Sequence, residues 1–488
     1  RGFSGIWYTF VYLFCTPCYW LVAPFCRRSR MLTTSDFFET RFSKRLGLLY
    51  TVMGSLTFTV NIGTMLKGTG TVAAAVTQGV IPEWLAVVVM AVIFVAYGTA
   101  GGLIATVVTE SVQGLLIVVM SLLLVPFGLM HVGGFAGLHN LLDGSKFSLA
   151  TPEELSIAWI IAATIASLIG IVAQPHTMEV CSTGKTEWEG RVGFTYGNFI
   201  KRLCALGWAV TGVIVLAMVA QGTLPELAHR EDAFGTAIRV LLPSGFTGLM
   251  LAAILAAQMS TLSAFMVAGS ALLSRNVYRG WLNPAASDES VVKVARYAGL
   301  LVVLAGVAFA FIVPGVADAL TYFWAITTFT GVSIWFGTLW RKTTAAGAWA
   351  SFFVMVVIWI ALGPLGGPLK HLLPQFGWLG IYGDKAQLPW LLLSYLPAGI
   401  LALVVGSLLG RPVSEKRLDD FYLLIKTPVG EEGRLKEAGV DVIYAGQSEG
   451  HPWELKHPRL VNWLGFGFAF VVSLAFLSLL WLVAGWGG

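Results

Sequence analysis

The stretch Ala256–Arg279, AAQMSTLSAFMVAGSALLSRNVYR, begins deep in an apolar run, places Ser260, Thr261 and Ser263 within one helical turn, and ends in a basic flank. An apolar run of this length reads as a helix that crosses a bilayer. Ala257, Ser260 and Thr261 are spaced i, i+3 and i+4, so they share one face. Two hydroxyl oxygens plus a backbone carbonyl make half of a cage for a small hard cation, the other half coming from an unwound neighbouring helix. The same hydroxyls also serve by bonding back to their own helix or by holding helices together. On this stretch alone both readings stand.

Composition fixes the class around it. Hydrophobic residues make up 56% of the 488-residue chain and charged residues 12%, about half the charge of a soluble protein. Apolar runs long enough to span about 30 Å of hydrocarbon recur from end to end, and the short alternating segments of a membrane barrel are missing from the sequence. The chain reads as an all-α polytopic protein, integral and multi-pass in the cell membrane, with the lipid bilayer as its first partner. Twelve spans are expected, at 5–26, 46–79, 82–99, 103–130, 155–177, 198–222, 245–275, 295–315, 317–339, 345–365, 389–410 and 459–486.

Charge orients them. With the 27–45 loop inside, 24 of the 31 Lys and Arg residues fall in inner segments, whereas the outer segments hold Lys146, Arg230, Arg239, Lys370 and Lys385. That asymmetry is the positive-inside rule. The net charge of +5 is thus a topology signal and implies no nucleic-acid partner. Cys15-Thr-Pro-Cys18 has metal-ligand spacing but no second Cys or His pair in its span, so no metal beyond sodium is expected; Pro17 kinks the helix instead. Residues 411–457 are charged, too short for an enzyme domain and without a nucleotide motif. They read as an inner solvated linker with a short helix, with regulation as the alternative. Residues 366–388 read as an outer loop against the membrane. No sequence feature sets an oligomeric state.

Several polar residues stand out within the spans. Tyr97-Gly-Thr-Ala-Gly-Gly102 reads as a tight turn between two spans. Glu110 follows about two turns later, either as a functional intramembrane acid or as an ion-paired or solvated one. Lys67 lies deep in its span near Asn61 and Thr64; it either binds a substrate carboxylate, neutralises an acid or snorkels. Thr327, Thr328 and Thr330, with Trp324 and Phe329, suit either an occluding gate or plain packing.

These segments together resemble one family. Ala256-Ala257-x-Met-Ser260-Thr261-Leu followed by Asn276-Val-Tyr278-Arg279 looks like the eighth core helix of the sodium:solute symporter family, which includes sodium-coupled sugar, proline, pantothenate and sialic acid transporters. Tyr97-x-x-x-Gly101-Gly102-Leu-x-Ala-x-x-x-Thr109-Glu110-x-x-Gln113 resembles its fifth-helix signature. Thr33-Thr-Ser-Asp-Phe-Phe-Glu-Thr-Arg41-Phe42 resembles the loop after its second core helix, and Leu339-Trp340-Arg341-Lys342-Thr343-Thr344-x-x-Gly347-Ala348 the junction after its tenth. Gln174-Pro175-His176 echoes the sixth helix of the proline branch. The motifs occur in family order across residues 1–350.

The resemblance implies an inverted-repeat, LeuT-type fold that works by alternating access around a midplane site. It implies a core over 1–340 (core helices two to ten, the first core helix being absent from this sequence), two additional helices over 341–410, the charged inner loop 411–457 and a final helix over 458–488. The implied activity is sodium-coupled symport of a small organic solute (sugar, amino acid or carboxylate), without enzymatic chemistry and with Na+ as coupling ion. Ala257, Ser260 and Thr261 are the implied sodium ligands. A second sodium site of some members is represented by Ser263 and Glu110, but Ala264 lacks the hydroxyl and Glu110 replaces the usual Asp, so one sodium is expected. Glu179-Val-Cys181 stands where an arginine is common. Asn61, Lys67, Gln174, Thr327 and Thr328 are the candidate solute ligands. A membrane sensor module or an inactive truncated scaffold are the alternatives.

Overall fold

Capping residues and long apolar faces decide where the helices of this chain begin and end. In a computed structural model, residues 2–152, 155–362, 381–382, 385–386, 388–443 and 448–487 are described, with the backbone alone described at 100–111, Thr183, 381–382 and 385–386. The chain runs through α1 (Trp7–Arg28), α2 (Thr34–Arg41), α3 (Lys44–Val76), α4 (Glu83–Val132), α5 (Gly134–Leu141), α6 (Ile157–Gly170), α7 (Pro175–Thr183), α8 (Glu187–Ala220) and α9 (Ala233–Leu241). It continues through α10 (Ser244–Ala271), whose last turns Leu272–Leu282 are π-wound, α11 (Asp288–Ile312), α12 (Val316–Leu339), α13 (Ala345–Leu362) and α14 (Leu388–Leu409). Three short helices follow, α15 (Glu415–Lys426), α16 (Glu432–Glu437) and α17 (Pro452–Lys456), and then α18 (Pro458–Gly485). Between α13 and α14 two-residue strands, β1 (Ile381–Tyr382) and β2 (Lys385–Ala386), pair antiparallel; the rest of the expected outer loop lies outside the described residues.

The polar residues before the apolar runs act as helix starters. Thr33 accepts from the Asp36 amide while Asp36 accepts from the Thr33 amide, a reciprocal capping box that opens α2. Thr186 and Glu189 do the same for α8. The helices bury their small residues against one another: α1 packs on α8 and α18, α3 on α11 and α12, α10 on α4 and α11, and α13 on α14.

Ten described helices are long and apolar enough to cross a membrane, and an eleventh span is the bent pair α6–α7. The expected count of about twelve also includes 82–99, which forms the shorter apolar stretch Glu83–Thr99. The turn expected at Gly98–Gly102 is absent, because the backbone from Glu83 to Val132 is hydrogen-bonded as one helical run of 50 residues. Glycine weakens a helix without forbidding it, and close packing holds this one: a Cβ on Gly98 would lie 2.9 Å from Ser263 Cβ and 2.8 Å from Met266 Cε of α10. A straight run of that length would measure about 75 Å. Yet Glu83 lines a cavity that Val215 also lines, and Gly128 packs against Ile214 beside it. The run is therefore bent.

The charged segment 411–457 does not lie free in solvent. Arg30, fully buried, donates to the carbonyls of Leu424 (3.3 Å), Thr427 (3.2 Å) and Pro428 (3.1 Å) and pairs with Glu432 at 2.9 Å. It does so from the left-handed region, φ 52°, which a side-chain-bearing residue rarely adopts. Arg417 donates to the carbonyls of Glu39, Thr40 and Phe42 at the end of α2, a cation at a helix C-terminus. Glu187 accepts from the Val429 amide and pairs with Arg28, and buried Arg191 pairs with Glu454 at 2.6 Å. The segment is thus a docked layer that joins the ends of α1, α2, α8 and α12. Charge alone reads as solvated because the partners lie far away in sequence, from 242 residues for Glu187 and Val429 to 394 for Arg30 and Leu424.

Candidate functional site

Gln174 sits at the break between α6, with its 3-10 extension, and α7. Pro175 supplies no amide proton and disfavours helical backbone at the residue before it, and Gln174 accordingly takes φ −76°, ψ 112°. Helix α6 with its short 3-10 extension and helix α7 are bent by 49° across this point. A break at membrane depth is tolerated only where it lines a cavity. Gln174 and His176 line a cavity of about 1060 Å³.

The wall of that cavity is built from α1, α3, α8, α10 and α12, with further residues of α4, α7 and α9. Helix α1 contributes Tyr8, Tyr12 and Tyr19, and α3 contributes Asn61, Met65 and Thr69. Helix α8 adds Asn198, Lys201 and Arg202, α10 adds Ala257, Gln258, Thr261 and Phe265, and α12 adds Leu320 and Phe323. Arg230 and Glu231 line both this space and a second, outer cavity of about 1190 Å³. Glu231 is also the cap of α12, accepting from the Val316 amide at 2.8 Å.

Of the expected sodium ligands, Ala257 and Thr261 face the cavity. Ser260 is buried, and its hydroxyl and that of Thr261 each donate to the Ala257 carbonyl at 3.2 Å. The three oxygens therefore converge, and each hydroxyl keeps lone pairs for a cation. Ser263 points elsewhere. It donates to the Met259 and Ser260 carbonyls, both at 2.9 Å, and packs against Gly98. The Glu110 side chain lies outside the described residues.

The solute candidates divide. Asn61 and Gln174 are on the cavity wall. Lys67 is not; its Nζ pairs with Glu83 at 2.6 Å beside the outer cavity. Thr327 and Thr328 also face away. Thr327 donates to the Phe323 and Trp324 carbonyls and packs on Gly170, and Thr328 donates to the Trp324 carbonyl at 2.7 Å. Hydroxyls on an apolar helix satisfy themselves this way, and neither threonine is on the wall of the cavity. Sequence reasoning missed His176, Asn198, Lys201 and Arg202. Two motifs do meet outside the cavity: Asn276 Nδ2 donates to Asp36 Oδ1 at 3.3 Å, which ties the π-wound end of α10 to α2.

The fold is that of an integral, multi-pass helical membrane protein with a helix broken over a central cavity. A sequence model of the sodium:solute symporter family matches residues 1–354. The sodium/glucose cotransporter of Vibrio parahaemolyticus is 23% identical over 347 residues, 65% of this chain and 63% of that one. The sodium/proline symporter of Escherichia coli (strain K12) is 28% identical over 66% of this chain and 61% of its own. The high-affinity proline transporter PutP of Bacillus subtilis (strain 168) is 29% identical, covering 77% and 81%. Against the first two, the chain spans less than two thirds of the relative's length. A Na+-coupled sialic acid symporter, solved substrate-bound and outward-open, superposes with a TM-score of 0.66 at 16% identity over 85% of this chain and 87% of that one; the fold is shared. The chain belongs to the sodium:solute symporter family.

Proposed function

We propose that this protein is a sodium-coupled symporter that carries a small organic solute (a sugar, an amino acid or a carboxylate) by alternating access. The observation that carries the reading is the meeting of two half-sites on one cavity. The Ala257 carbonyl and Thr261 hydroxyl occupy one wall, and the helix break at Gln174 occupies another. Unwound backbone at a midplane cavity is where transporters of this architecture hold ion and solute.

One sodium is assigned, to Ala257, Ser260 and Thr261. Ser263 is off the wall of the central cavity and packs against Gly98, and Ala264 brings no second hydroxyl, so no second site is proposed. Sodium at Thr261 shifts the population toward the outward-facing state, and solute affinity rises there by the same coupling free energy. The orientation with 411–457 inside rests on the charge bias and on the docking of that segment against Arg30 and Arg341, both from loops of the same assigned side.

Proteoliposome uptake of radiolabelled L-proline, pantothenate and glucose tests it. An inward sodium gradient is expected to drive accumulation of at least one of them, and Ser260→Ala with Thr261→Ala to abolish the stimulation. Uptake indifferent to sodium rejects the coupling.

A further inference from the structure

Half-way along the 34-residue α8 stand two adjacent cations, Lys201 and Arg202, and both line the central cavity. Arg202 is 1% exposed. Its Nη2 donates to Asn198 Oδ1 at 3.3 Å, and its guanidinium carbon lies 5.7 Å from the centre of the Tyr12 ring. Its Nε and Nη1 have no hydrogen-bond partner. Among the described residues no carboxylate pairs with either cation, and the acid on the cavity wall, Glu231, caps α12.

A cation at membrane depth without a counter-charge is costly and marks a functional position, and buried arginine donors left unmet add to that cost. Other groups on the same wall lack partners too: Asn61 Nδ2, a donor, and Gln258 Oε1, an acceptor. The balance favours donors and positive charge. We infer that the cavity binds a solute through an anionic carboxylate received by Arg202, with Lys201 as the neighbouring positive charge and Asn198 holding the guanidinium in place. This inference rests on the symport reading and narrows its solute class: an uncharged sugar leaves both cations uncompensated. Arginine suits the task because it stays charged and forms short, charge-assisted bonds to carboxylate oxygens.

Thermal unfolding and binding on the purified full chain, in sodium, test the inference. The probes are L-proline, pantothenate and sialic acid, which carry carboxylates, against glucose and the amide of each acid. At least one acid is expected to bind and raise Tm while its amide does not. R202Q is expected to raise that Kd by at least about 30-fold, which is about 2 kcal/mol. Without solute, R202Q is expected to be as stable as wild type or more so, because an unpaired buried cation has been removed; a merely structural arginine would do the opposite. A response to glucose and to none of the acids, an acid Kd unchanged in R202Q, or an R202Q chain that unfolds in sodium alone each overturns the inference. The Tm rise caused by sodium alone, and its loss in Ser260→Ala with Thr261→Ala, reports separately on the coupling reading.

Discussion

Lys67 Nζ of α3 lies 2.6 Å from Glu83 Oε1 at the start of α4, with the lysine side chain 18% exposed and the glutamate 38%. The pair closes a contact between neighbouring helices at the outer cavity. It leaves Lys67 no free charge for the central one, where Asn61 lies two turns earlier on the same helix. Partly solvated pairs contribute about 1 kcal/mol or less. Lys67→Met is therefore expected to leave solute Kd unchanged and to lower unfolding stability by no more than about 1 kcal/mol. A double-mutant cycle with Glu83→Gln measures the pair, and a tenfold loss of solute affinity in Lys67→Met would return the residue to the binding site.

Ser260 and Thr261 share one acceptor, the Ala257 carbonyl, and this predicts opposite results with and without sodium. Back-bonding of a hydroxyl to its own helix contributes little to stability. Single Ala substitutions are expected to leave the sodium-free Tm near wild type. In sodium, each lost oxygen ligand should cost about 1.4 kcal/mol or more, a tenfold or greater rise in the half-saturating concentration. Sodium titration followed by Tm or by tryptophan fluorescence separates the two conditions. Equal destabilisation in both would make the hydroxyls structural.

Removal of Arg30 strips the buried carbonyls of Leu424 and Thr427, the half-buried one of Pro428, and Glu432 of their donor at once. Unsatisfied buried acceptors cost about 1–3 kcal/mol each where water cannot reach them. Arg30→Ala is expected to undock residues 411–457, read as new protease cleavage within that segment while α1 to α14 stay intact. The contact is also pH-dependent. Burial pushes the Glu432 carboxyl up, but the Arg30 guanidinium and the Gly430 amide outweigh it and hold it below its ordinary value. A carboxylate with a lowered folded pKa contributes stability above its unfolded value of about 4.3 and loses it as pH falls through the folded one. Docking should weaken below about pH 4, and Glu432→Gln should be weakly docked at every pH. Glu454 acts in the opposite direction: burial and nearby Glu187 raise it against the pull of Arg191, so the penalty it carries grows as pH rises through its folded value.

Much of the fold was legible because apolar run length and motif order are local properties. Ala256–Arg279 and Gln174-Pro175-His176 led to the sides of the central cavity, and Pro175 carried the helix break in its ring. Arg202 is legible in principle. A span beginning at 198 puts Lys201 and Arg202 at its inner end, among the loop charges, whereas α8 begins at Glu187 and puts both mid-helix. A capping box at Thr186 and Glu189 was the local signal for the earlier start. The orientation of Lys67 and of the α12 threonines was not legible. Helical spacing says which residues share a face, and only the neighbours, Glu83 in one case and Gly170 in the other, say what that face meets.

Gly98 separates the two roles a glycine can have in this chain. Read from sequence it belongs to a turn; in the structure it is helical and lets Ser263 and Met266 of α10 approach α4. A turn glycine with a positive φ would be strained by any side chain, but Gly98 is not among the positive-φ residues. Steric overlap alone therefore sets the cost. Gly98→Ala places a methyl 2.9 Å from Ser263 Cβ, closer than carbon atoms pack, and is expected to cost about 1–3 kcal/mol. Ser263→Gly in the same chain removes the obstructing Cβ and should recover part of that loss, whereas it would recover none if Gly98 were needed for its backbone conformation. Tm measurements on the two single variants and the double variant decide between them, and additive losses would reject the close approach of α4 and α10.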